Sequence, residues 1–235
     1  MLLERKLSKA ENFRKVGNID EAIQIYDEIL LKFPQNKRAK LGKFSCKRYA
    51  SDNETKMVIH LFEKQLFSEA NSEINNLISM YPNDENLYNI SGAINSRLKK
   101  FNQAEEQYKN AIKIKHDFPE AYNNLAETLN TAKRHMEAEE LCIKAINYNP
   151  NYAEAYNNLG NALINLSQYK KALNNYKKSL ELNNPNQYSV FNNLCLAYAY
   201  IGDLKSSVNY AIQAINLNPN DETSVNSLSN ISIYL

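Results

Sequence analysis

The sequence predicts an all-α fold built by stacking antiparallel helix pairs, and three observations predict it. A ten-residue phrase recurs, as EAYNNLAETL at 120–129, EAYNNLGNAL at 154–163 and SVFNNLCLAY at 189–198, with a weaker copy, NLYNISGAIN, at 86–95. Tyr88, Tyr122, Tyr156 and Phe191 mark the phrase at steps of 34, 34 and 35 residues. A period of that size marks a repeat architecture, in which each unit must stack on its neighbours to bury its apolar face. Within each unit the apolar residues fall three and four apart, the period of a helix. Loop material is scarce, with 5 Gly and 6 Pro among 235 residues.

The units can be aligned by counting Pro119 as position 1. The unit at 119–152 then has Tyr122 at position 4, Leu125 at 7, Ala126 at 8, Leu129 at 11, Ala138 at 20, Cys142 at 24, Ala145 at 27 and Pro150 at 32. The unit at 153–187 has Tyr156, Leu159, Gly160, Leu163, Ala172, Tyr176 and Ser179 in these places, and ends one residue later at Pro185. The unit at 188–221 has Phe191, Leu194, Cys195, Tyr198, Ser207, Ala211, Ala214 and Pro219; that at 85–118 has Tyr88, Ser91, Gly92, Asn95, Ala104, Tyr108 and Ala111, with His116 in the proline place. Small residues belong where the two helices touch, and large ones fill the space between. Proline ends the second helix because it has no N–H and clashes with the preceding turn.

The first half diverges more. Residues 3–36 keep Phe13, Gly17, Ala22, Tyr26, Ile29 and Pro34, and residues 51–84 keep Leu61, Ala70, Ile74, Leu77 and Pro82. Residues 37–50 fit no complete unit and read as an inserted helix over 37–49. Ser51-x-x-Glu54 reads as a capping box opening the next helix. Residues 221–235 read as a last first-helix without its partner, with Val225 and Leu228 at positions 4 and 7. The expectation is one solenoid over 1–235 with about fourteen helices and no internal domain boundary.

This pattern of small and large positions resembles the tetratricopeptide repeat over nearly the whole chain, most specifically over 85–219. The tandem AYNNLG form is similar to the superhelix of O-linked N-acetylglucosamine transferase and SPINDLY-like glycosyltransferases. It is also similar to repeat segments of bacterial proteins with a following sulfotransferase or glycosyltransferase domain, a likeness extended by FPQNKRAKLG after the first unit. The resemblance implies a right-handed α-α superhelix whose first helices line a concave groove, with positions 2, 5, 6, 9, 12 and 13 facing it. Position 5 is Asn89, Asn123, Asn157 and Asn192; position 6 is Asn124, Asn158 and Asn193; position 9 is Glu127 and Asn161. A side-chain amide offers donor and acceptor together and can pair with a peptide unit whatever its side chain. The transferase superhelix binds peptide backbone through such a ladder, which the resemblance carries onto Asn124, Asn158 and Asn193. Asparagine here would equally keep a solvated groove polar, and the abundance of Asn, Lys, Ile and Tyr fits A/T-rich codon usage.

Charge narrows the partners. Related repeats that capture acidic chaperone tails place Lys and Arg in the groove, whereas Glu120, Glu154 and Glu127 stand there instead, favouring neutral or basic segments. The first 50 residues hold 12 Lys/Arg against 6 Asp/Glu, crowded at Lys37, Arg38, Lys40, Lys43, Lys47 and Arg48. A basic helix can meet acidic partners or nucleic acid, but no Gly-rich loop or interleaved aromatic pattern points to nucleic acid, and none is expected. No run reaches the ~18 apolar residues that cross a bilayer, and no secretory core opens the chain, so no membrane contact and a cytoplasmic location are expected. Cys46, Cys142 and Cys195 form no CxxC pair, and no catalytic motif, metal set or cofactor site is legible. The chain is expected to be a non-catalytic scaffold binding a protein or peptide segment. The alternatives are the recruiting arm of a larger glycosyltransferase or sulfotransferase, and a scaffold that self-associates through 221–235.

Overall fold

A computed structural model describes residues 2–16, 18–44, 46 and 49–219. Among these residues are 13 helices and no strand. They are α1 (Leu2–Lys15), α2 (Ile19–Lys32), α3 (Lys37–Phe44), α4 (Asp52–Glu63), α5 (Phe67–Met80), α6 (Glu85–Arg97), α7 (Phe101–Ile114), α8 (Pro119–Thr131), α9 (His135–Tyr148), α10 (Ala153–Asn165), α11 (Tyr169–Glu181), α12 (Gln187–Tyr200) and α13 (Leu204–Leu217). Short turns join α1 to α2, α4 to α5, and each later pair, as expected of helical hairpins. The terminal helix expected at 221–235 lies outside the described residues. The chain divides into two compact units, residues 1–87 and 88–235.

In the first unit, α1, α2 and α3 close on Leu7, Ala10, Ala22, Tyr26, Ile29 and Ala39. The helix α3 ends at Phe44, short of the 37–49 span read from the sequence, and the N–H of Cys46 bonds the carbonyl of Lys43 (3.0 Å) in a tight closing turn. Gly42 lets α3 approach α2, because a Cβ there would lie 2.3 Å from Cζ of Tyr26. Much of the basic charge of α3 is neutralised within the unit. The Arg38 guanidinium donates to both carboxylate oxygens of Glu11 (2.8 and 3.1 Å) and to Glu4 (2.8 Å), and Lys43 pairs with Asp27. The hydrogen bond from Arg38 holds the Glu11 carboxyl below its ordinary pKa. The capping box is present: the Glu54 carboxylate accepts from the Ser51 backbone N–H (2.8 Å), and the buried Tyr81 hydroxyl donates to the same carboxylate.

In the second unit the counted positions fill one packed cluster. Leu125, Leu129, Leu159, Leu163 and Leu194 supply its bulk, and Ala104, Ala138 and Ala172 stand where helices touch. Positions 8 and 24 exchange volume from repeat to repeat. Gly92 lies against Tyr108 and Gly160 against Tyr176, where an added Cβ would come within 2.6 and 2.3 Å of the ring. Ala126 shares a cluster with Cys142, and Cys195 with Ala211. A large ring faces no side chain, and an intermediate residue faces a small one, as close packing requires.

Candidate binding groove

The asparagine phrases lie on α8, α10 and α12, and the amides of successive repeats bond each other. Nδ2 of Asn124 donates to Oδ1 of Asn89 (3.1 Å), Nδ2 of Asn158 to Oδ1 of Asn123 (2.9 Å), and Nδ2 of Asn193 to Oδ1 of Asn157 (3.0 Å). In every case position 6 of the later repeat donates to position 5 of the earlier one. Asn123 and Asn158 are only 4% and 9% exposed. The sequence placed both at a solvated groove; they sit largely between the first helices, and the rung satisfies amides that burial would otherwise penalise. Asn123 also donates to the Tyr152 hydroxyl (3.5 Å).

A cavity of about 520 Å³ opens over these rungs. Of the sequence-derived residues, Asn123, Asn124, Glu127, Asn157, Asn158 and Asn161 line it; Asn89, Asn192 and Asn193 do not. Asn89 and Asn193 are the outer members of the flanking rungs, and Asn192 is half-buried on α12. Of the other glutamates the sequence set in the groove, Glu154 lines the cavity and Glu120 does not; the lining also includes residues the sequence did not single out: Asn130, Thr131, Tyr152, Asn184, Asn186 and Ser189. Asn130, Thr131, Glu154 and Ser189 occupy positions 12, 13, 2 and 2, so the position rule contained them. Tyr152 precedes α10, and Asn184 and Asn186 belong to the loop that makes its unit one residue longer, where the 34-residue count loses its grip.

Second contacts stiffen this surface. Asn130 donates to the Asn158 carbonyl (3.1 Å), and the Asn165 amide donates to the Asn161 carbonyl (2.8 Å). The Tyr176 hydroxyl reaches up from the core to Oδ1 of Asn161 (2.9 Å). Burial pushes the Tyr152 and Tyr176 hydroxyls above their ordinary pKa, so both remain neutral hydrogen-bonding groups. Glu127 is exposed and Glu154 half-buried, and these are the charged residues of the lining.

The other reactive groups lie elsewhere. Cys46, Cys142 and Cys195 are buried free thiols, and burial pushes Cys142 up to about 12, far from a reactive thiolate. Among the described residues no group of three or more His, Cys, Asp or Glu could hold a metal ion, and no helix is long and apolar enough to cross a membrane.

Comparison with known proteins places the repeats. Models of the tetratricopeptide repeat match residues 97–130, 117–184 and 188–221, together about half of the chain. A stretch of 44 residues is 41% identical to the aspartyl/asparaginyl beta-hydroxylase of Mus musculus, covering 19% of this chain and 6% of that protein. That is little more than one repeat. Among solved structures, the fold is similar to a chain of the APC/C hetero-tetramer Cut9–Hcn1, with a TM-score of 0.69 and 16% identity over 97% of this chain and 42% of that one. It is also similar to YrrB, described as a tetratricopeptide-repeat protein with an unusual peptide-binding site, with a TM-score of 0.56 and 16% identity over 76% of this chain and 91% of that one. At these identities the likeness is one of fold.

Proposed function

The chain belongs to the tetratricopeptide-repeat family, and from that premise we propose that it is a protein-binding scaffold whose groove over α8, α10 and α12 holds an extended segment of a partner. The observation that carries this reading is the common orientation of the rungs. Each position-6 amide directs one N–H toward the preceding repeat, so its orientation is set before any ligand arrives. Oδ1 of the Asn158 side chain and the second N–H of its amide are thereby available at the cavity wall. A donor and acceptor held in a fixed direction suit the N–H and C=O of a peptide unit.

Each such hydrogen bond contributes only ~0.5–1.5 kcal/mol, and ordering the ligand offsets part of that. The scaffold therefore binds weakly, at several points, with wide tolerance of sequence. An unstructured, uncharged, fluorescently labelled peptide is the direct probe, titrated against the full chain by anisotropy. Changing Asn124, Asn158 and Asn193 together to Ala should weaken saturable binding by about tenfold or more, with helical content by circular dichroism unchanged. Unchanged affinity in the folded variant overturns the reading. Because these amides also join repeats, Asn161→Ala serves as a second variant, removing a groove amide that is not part of a rung.

A further inference from the structure

We propose that the groove selects its partner by charge, taking a segment that carries a lysine or arginine whose cation sits between Glu127 and Glu154. The inference rests on the reading of the groove as a binding site and specifies what that site accepts. Glu127 comes from α8 and Glu154 from α10, yet both line the same cavity. The remaining lining residues are uncharged: Asn, Thr, Tyr and Ser.

Neither carboxylate has an ion pair or a side-chain hydrogen bond among the described residues. Glu105, Glu137 and Glu181 of the second unit are paired with lysine or arginine, whereas Glu106, Glu120, Glu139 and Glu140, like Glu127 and Glu154, have no ion pair among the described residues; what distinguishes Glu127 and Glu154 is that both line one cavity. Two acids facing one cavity without a counter-ion repel an acidic ligand and attract a basic one.

A second, independent observation lies at the cavity wall. Asn158 is more than nine-tenths buried, its amide nitrogen is occupied by Asn123, and its side-chain oxygen accepts from no described residue. That oxygen is open to the cavity rather than sealed in the core, so a ligand donor can take the place of water there. A lysine ammonium brings three donors and an arginine guanidinium five, enough to serve the two carboxylates and the amide oxygen together. The polar wall leaves the rest of the ligand to be held through its backbone.

The test uses three labelled unstructured peptides that differ only at a central residue, which is Lys, Glu or Ser. Each is titrated against the full chain and against the Glu127→Gln/Glu154→Gln variant, which keeps the shape of the groove. The wild-type chain should bind the Lys peptide about tenfold more tightly than the Glu peptide, and that preference should fall to about twofold or less in the variant. Added salt should shrink the preference in the wild type and leave the variant unaffected. Equal affinity for the Lys and Glu peptides, or a preference that survives in the variant, overturns the inference. If the Ser peptide binds while charge makes no difference, the groove reading stands and only the charge selection fails; if no peptide binds, both fail.

Discussion

Gly160 and Tyr176 show how a single residue is fixed by its partner. Alanine ordinarily improves a helix by ~1 kcal/mol over glycine. Here the added methyl would meet the Tyr176 ring at 2.3 Å. Overpacking of that kind costs ~1–3 kcal/mol, so Gly160→Ala should lower stability in urea unfolding. The neighbouring repeat shows the remedy, because Ala126 and Cys142 fill the same two places. In a Tyr176→Cys background, Gly160→Ala should lose most of its cost, a coupling that a double-mutant cycle measures. Small and large positions were legible in the sequence because spacing alone defines them. The rungs were not. Positions 5 and 6 lie about 100° apart on a helix, and only the rotation of α8 against α10 decides that Asn123 and Asn158 meet each other rather than solvent.

At the scale of elements, the turns inside the repeats share one backbone device. Gln65, Lys99, Lys133 and Ser167 have φ of 60°, 59°, 63° and 58°, and the equivalent residue of the last described pair is Gly202, with φ of 81°. A left-handed conformation costs a side-chain-bearing residue ~1–2 kcal/mol, part of which glycine returns through its freer unfolded chain. Lys133→Gly should therefore stabilise the protein by ~0.5–1 kcal/mol and raise the thermal midpoint by a few degrees. The boundary of α3 is where sequence reasoning fell short. Helical propensity continues past Phe44, but the turn at Cys46 intervenes. A clue was present: Gly42 and Tyr26 are separated by the same sixteen positions as Gly92 from Tyr108 and Gly160 from Tyr176, in reverse order. That reversal matches an α3 that receives the Tyr of the preceding pair, rather than one standing apart from the repeat pattern.

Across the molecule, a repeat architecture depends on contacts between neighbours, and some of these are polar. Arg134 donates to Glu105 on α7 (2.5 Å) and to Glu137 on α9 (2.6 Å), linking successive pairs. The hydrogen bond from Arg134, aided by Lys109, holds the Glu105 carboxyl below its ordinary pKa of 4.5. A lowered carboxyl contributes stability that is fully present above the unfolded pKa and disappears as pH falls through the folded one. Arg134→Gln should thus lower the thermal midpoint at about pH 7 by an amount that fades in acid, because protonated Glu105 has little left to lose. Thermal melts of both proteins across that range measure the convergence. The architecture was legible because its 34-residue period is a global property, insensitive to local error. The lining of the cavity over the rungs was only partly legible, since it mixes repeat positions with the irregular loop at Asn184 and Asn186.

The amide rungs carry one more consequence, for how such a chain lengthens. The phrases at 120–129 and 154–163 each hold an acceptor at repeat position 5 for the unit that follows and a donor at repeat position 6 for the unit before. A duplicated segment copied in tandem therefore arrives with both halves of the joint. It inserts without orphaning an amide at either seam, whereas a segment cut out of phase leaves one unmatched. Duplication in whole periods is the neutral route and partial duplication the penalised one, so the near-identity of the phrases at 120–129 and 154–163 reads as the trace of a growth rule written into the hydrogen bonds.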